Sequence, residues 1–145
     1  MIPKVIPTVE NLKKARKVFL ENEPRDIFYQ VASELIRLTI EEKTEISLAE
    51  ALAVLLQTWN KAYYQFRRFD NKHFSDISSL VENHVRTAFE CRRRSILSLT
   101  RDDMPKVIGI FDEFEQVLGP AGASKSLHLL APEFFPLWDR AIASV

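Results

Sequence analysis

Glycine is scarce in this 145-residue chain: only Gly109, Gly119 and Gly122 occur, and the last two lie within four residues of each other. Without glycine punctuation a chain cannot turn repeatedly through tight hairpins, so strands are expected to be rare or absent. Cysteine is scarcer still. Cys91 stands alone, which excludes an internal disulfide and any cysteine-spaced zinc site, and points to a reducing compartment. No sign of charge dominates: twenty Lys and Arg face twenty Asp and Glu, which excludes a histone-like surface. Long apolar runs are missing. The longest, Ala51 to Leu56, is far short of the roughly 20 residues that cross a bilayer, and Met1 to Pro7 lacks the apolar core of a signal peptide. The chain is therefore expected to be cytoplasmic, with no membrane partner. Phosphate loops, nucleophile elbows and H-E-x-x-H sequences are absent too. His73 and His84 are eleven residues apart on one segment, roughly 16 Å by helical rise, and His128 lies on another. They cannot share a metal by themselves, and neither a metal nor a cofactor is expected.

What is present is helical periodicity. An apolar fraction of 46% with 28% charged residues describes a folded domain, and 145 residues suffice for one core. Apolar residues recur at three and four residue steps, the mark of helices with one buried face. The expected fold is all-α, a single-domain compact bundle of about six helices over residues 1–145. Thr8 caps a first helix ending near Asn22, whose apolar face is Val9, Leu12, Ala15 and Phe19. A second runs from Arg25 to about Ile40. Ser47 and Glu50 form a capping box that opens a third, apolar nearly all round, expected to reach Phe66 and to be the central helix. Asn71 is expected to cap a fourth with the stripe Phe74, Ile77, Leu80, Val81, Val85 and Ala88. Thr100 and Asp103 cap the next, ended by Gly119-Pro120. A short helix from Ala123 to Leu130 follows, and the tail Phe134-Phe135-Pro136-Leu137-Trp138 is apolar enough to pack back onto the core.

The zero net charge conceals an uneven distribution. Residues 1–60 carry a net charge of −1, residues 61–101 a net of +5, and residues 102–145 a net of −4. Within the basic middle, Asn60-Lys61-Ala62-Tyr63-Tyr64-Gln65-Phe66-Arg67-Arg68-Phe69 mixes aromatics with amides and cations. Rings beside arginines can stack on bases while the guanidinium groups hold phosphates. The alternative is that the rings enter the core and the basic heads reach outward. Arg67 and Arg68, with the Arg92-Arg93-Arg94 triplet, are the candidate nucleic-acid contacts. The triplet also suits a helix C-terminus, where the macrodipole favours cations. Cys91 beside it is either a thiol of lowered pKa or a buried structural one.

Residues 117–139 read Val-Leu-Gly-Pro-Ala-Gly-Ala-Ser-Lys-Ser-Leu-His-Leu-Leu-Ala-Pro-Glu-Phe-Phe-Pro-Leu-Trp-Asp. This succession of helix, Gly-containing turn, helix and proline-rich link ending in Asp resembles the helix-hairpin-helix DNA glycosylase superfamily. The resemblance implies a hairpin from Leu118 to Gly122 whose backbone N–H groups hold a phosphate, and an acid, Asp139, that works on a flipped nucleotide. Gly119, Gly122 and Ser124 would then touch nucleic acid. Ser124 occupies the place of the catalytic lysine of lyase-type members, and Lys125 follows it. The segment also resembles a set of bacterial proteins with a Gly-Ala-Ser-Lys-x-Leu-His-Leu-Leu-Ala-Pro-x-Phe-Phe-Pro-x-Trp-Asp pattern, and Trp59 to Tyr64 is similar to a second piece of it. That likeness implies a family identity without a reaction. From the residues alone, Lys125 and His128 share a helical face, and Asp139 can fold back beside them. Such a cluster can do nucleophile or acid/base work, with Lys125 and Asp139 as its catalytic members. Alternatively Asp139 pairs with Lys125 and His128 satisfies a backbone carbonyl. Three functions are expected to compete: a nucleic-acid-binding protein, an interaction or structural module that binds another protein or a second copy of itself, and, behind these, a glycosylase-like enzyme using Lys125 or Asp139.

Overall fold

The computed structural model describes residues 8–22 and 26–137, and within them every regular element is helical. Six α-helices follow in order: α1 Val9–Asn22, α2 Asp26–Ile40, α3 Leu48–Trp59, α4 Lys61–Tyr64, α5 Asn71–Arg92 and α6 Met104–Leu130. Single 3₁₀ turns at Ile96–Ser98 and Arg101–Asp103 join α5 to α6. No helix among the described residues is long and apolar enough to cross a membrane.

The caps explain most boundaries. The Thr8 hydroxyl accepts from the Asn11 N–H at 3.1 Å, satisfying one of the donors that a helix start leaves unpaired. Ser47 and Glu50 cap each other's backbone N–H groups at the head of α3. Thr100 and Asp103 repeat the device ahead of α6. The cap of α5 is Asp70 rather than Asn71, its carboxylate accepting from the His73 N–H at 2.9 Å. Asp70 outranks its neighbour because a charged acceptor also meets the positive end of the helix dipole.

α3 is the central helix. It packs against α2, α5 and α6, and Leu48, Ala49, Ala51, Leu52, Ala53, Leu55 and Leu56 are buried along it. It ends at Trp59, seven residues before the expected Phe66, because the chain turns at Asn60 and resumes as the separate short α4. Asn60 is buried there against Gly122 of α6, where a Cβ would come within 3.1 Å of the Asn60 amide nitrogen and 2.8 Å of the Leu118 side chain. Close approach of two helices is thus what requires glycine at position 122.

α6 carries the break expected at Gly119-Pro120: two helical segments meet there at a kink, the second starting at Pro120 rather than Ala123. It runs from Met104 to Leu130 with one non-helical residue, Gly119, at φ 70° and ψ 169°. Pro120 cannot donate to the ladder, so the break falls where glycine absorbs the left-handed backbone and proline starts the second half. Beyond α6 the tail does return to the core: Phe134 and Phe135 are buried, edge to face. Trp138 and Asp139 lie outside the described residues.

α1 departs most from expectation. Its apolar stripe forms as the sequence spacing requires, yet none of its residues is buried. No substantial helix–helix contact involves it.

Candidate nucleic-acid interface

The corner between α4 and α5 is held by aromatic side chains that lock onto their neighbours. The Tyr63 ring lies against the Gly119 backbone, where a Cβ would sit 2.8 Å from its Cε2. The Tyr63 hydroxyl donates to the Val117 carbonyl at 3.3 Å and accepts from Arg67 Nη1 at 2.7 Å. Arg67 also lies 5.8 Å from the centre of that ring. Tyr64 meets His73 through its hydroxyl at 2.9 Å, and Phe69 packs edge-on to both rings. Burial pushes the Tyr64 hydroxyl up to about 12. It also lowers the His73 pKa, with Arg67 adding to the effect. The inner face of the corner is therefore uncharged apart from the Arg67 guanidinium.

Its outer face is basic. Phe66 is 92% exposed, and Lys61, Gln65 and Arg68 are exposed beside it in sequence. The one carboxylate between Lys61 and Lys72 is Asp70, which is occupied as the α5 cap. The inward alternative for this stretch describes Tyr63, Tyr64 and Phe69, which pack on Gly119 and the core, while Phe66 stays exposed. Phe66 and Lys61 were absent from the candidate contacts because periodicity alone cannot separate one inward ring from one outward ring across a helix that stops at Tyr64.

The remaining candidates are elsewhere. Arg92 donates to the Leu129 and Leu130 carbonyls at 3.1 and 2.9 Å, closing the C-terminal end of α6. Arg94 forms a two-pronged pair with Asp103, at 2.9 and 2.7 Å, which holds the Asp103 carboxyl well below the usual carboxylate range. Of the triplet, Arg93 alone is exposed. Cys91 is buried, and that burial raises its thiol pKa against the nearby cations, the environment of a structural thiol. Gly122 and Ser124 are buried and present no surface to a phosphate.

Lys125 and His128 do share a face of α6. The Lys125 ammonium donates to the Trp59 carbonyl at the end of α3 and stands 5.0 Å from the Trp59 ring centre, a cation placed where the dipole of α3 favours one. His128 Nδ1 donates to the Phe135 carbonyl at 2.7 Å, and the Tyr29 hydroxyl lies 3.0 Å from its Nε2. With Nδ1 carrying the proton, Nε2 accepts from Tyr29, which is the neutral tautomer. Burial lowers the His128 pKa accordingly. These bonds tie α2, α3, α6 and the tail together. Asp139, the third member of the expected catalytic cluster, lies outside the described residues.

Comparison with protein-family models, with curated proteins and with solved structures finds no match.

Proposed function

We propose that this chain binds nucleic acid, single-stranded in preference to duplex, at the α4–α5 corner. Phe66 stacks on an unpaired base, and Lys61 and Arg68 hold the flanking phosphates. The observation that carries this function is the exposure of Phe66. A ring left 92% in water forgoes the roughly 1.5–3 kcal/mol that burial of such a side chain supplies. Here it sits beside two arginines, the pairing that recognises bases in sequence-tolerant single-strand binders. The Gly119–Pro120 break, the part of α6 that resembles a helix-hairpin-helix turn, lies against the Tyr63 ring of the same corner, and Arg67 bonds to the Tyr63 hydroxyl.

Anisotropy titration of a labelled mixed-sequence oligonucleotide, single-stranded and duplex, at low and moderate salt provides the test. The single strand should bind more tightly, and its affinity should fall as salt rises. Phe66→Ala should weaken binding on the order of tenfold, since stacking on one base is worth about 1–3 kcal/mol. Arg68→Ala should weaken it and flatten the salt dependence. Arg93→Ala, exposed but outside the corner, should change little. Absence of binding at low salt, or a Phe66→Ala variant that binds as wild type does, would overturn the assignment.

A further inference from the structure

Among the described residues, two uncovered apolar surfaces are complementary to each other. The first is α1, whose Val9, Leu12 and Phe19 are 47–70% exposed. The second is a groove of about 270 Å³ between α2 and α3. Ile27, Val31 and Val54 form its rim, 59–62% exposed, while Ala32 and Ala51 form a low floor. A groove with small residues beneath and branched ones on either side is shaped to take the ridge of a helix. The apolar stripe of α1 is such a ridge. A helix of 14 residues with none of them buried is also marginal in water, so α1 needs a surface to stay folded.

Charge matches the two surfaces as well as shape. α1 carries Lys13, Lys14, Arg16 and Lys17 against Glu10 and Glu21. α2 and α3, the helices that form the groove, carry Asp26, Glu34 and Glu50 against one cation, Arg37. A basic amphipathic helix and an acidic helix pair attract one another and repel their own kind. Both surfaces stay open within one chain, because no residue of α1 is buried. We infer that the groove is filled by α1 of a second copy of this chain, each copy lending its first helix to the other. Reciprocal exchange about a two-fold axis covers both α1 stripes and both grooves and leaves nothing free for a third copy, so the assembly closes as a dimer.

Light scattering after size exclusion, over a range of protein concentration, tests the exchange together with two single variants, Phe19→Asp on α1 and Val31→Asp on the groove. Both positions are exposed, so neither change touches the core. Wild type should pass from the 16.8 kDa monomer to twice that mass as concentration rises, and each variant alone should stay monomeric. An equimolar mixture of the two variants should partly recover the dimer, because one intact α1 then meets one intact groove. That recovery also excludes misfolding as the cause of the single-variant loss. A dimer that survives both variants, or a mixture that stays monomeric, would overturn the exchange. A wild type monomeric at every concentration would overturn it too. In that case loss of helix content in either variant would assign the groove to the chain's own α1, and helix gained with anionic vesicles would assign α1 to a lipid surface.

Discussion

At the residue scale, the three glycines separate conformation from space. Gly119 sits at φ 70° with the Tyr63 ring where a Cβ would go, so Gly119→Ala meets both a left-handed backbone and a clash. A loss of about 1–3 kcal/mol is expected for the strain alone, measured as a lower urea midpoint. Gly109 lies inside α6 with nothing within 4 Å of its would-be Cβ. Gly109→Ala should raise the midpoint, by about 0.5–1 kcal/mol, because alanine costs less to order in a helix. Opposite signs from the same substitution in one helix would confirm that the break, and not glycine content, is what α6 depends on. Little of this was legible beforehand. The order Gly-Pro marks a break in any sequence, but that Tyr63 covers it depends on contact between residues more than fifty positions apart. The same holds for Arg92 and Arg94: a run of three arginines reads as one patch, although two of them are spent on carbonyls and a carboxylate inside the molecule.

At the scale of elements, local chemistry was legible wherever it is self-contained. The Ser47 capping box is complete within four residues, and it stands as the sequence spelled it. Ser47→Ala should cost about 1 kcal/mol, read as a fall in the thermal or urea midpoint. The C-terminal boundary of α3 was not legible, because it is set by Asn60 meeting Gly122 rather than by any residue that stops helices. Nor did periodicity reveal the isolation of α1. An amphipathic stripe states that a helix has a face to bury, not whether its own chain supplies the surface. The tail behaves in the opposite way, having no helical period yet reaching the core. Phe134 follows the last helix and is fully buried with Arg94 stacked 5.1 Å from its ring centre. Phe134→Ala should therefore cost about 3–5 kcal/mol, as a core phenylalanine does, which a chemical denaturation curve would show as a large midpoint shift.

For the whole molecule, an all-α bundle around α3 was legible from glycine scarcity and apolar spacing. Its net charge of zero was less informative than the basic stretch that becomes the α4–α5 corner. Titration is the other property that only the assembled structure sets. His73 and His128 are both shifted below the ordinary value of 6.5, chiefly by burial. A folded chain then takes up these protons at lower pH than an unfolded one. Just below pH 6.5 the unfolded state binds more protons, so stability rises with pH through that window and is lost as the solution is acidified. Carboxylates held low by their partners, Asp103 by Arg94 and Asp70 by the His73 N–H, add a second loss once pH falls below the ordinary Asp value of 3.8. Urea midpoints should thus be flat between about pH 7 and 8, decline from about pH 6.5 downward, and decline again below about pH 4. His128→Gln tests the assignment through the slope: its midpoint at neutral pH falls because the bond from Tyr29 is disturbed, but the first decline becomes shallower. A first decline of unchanged slope in that variant, or a midpoint that rises on acidification, would mean that these buried imidazoles do not set the acid sensitivity of the fold.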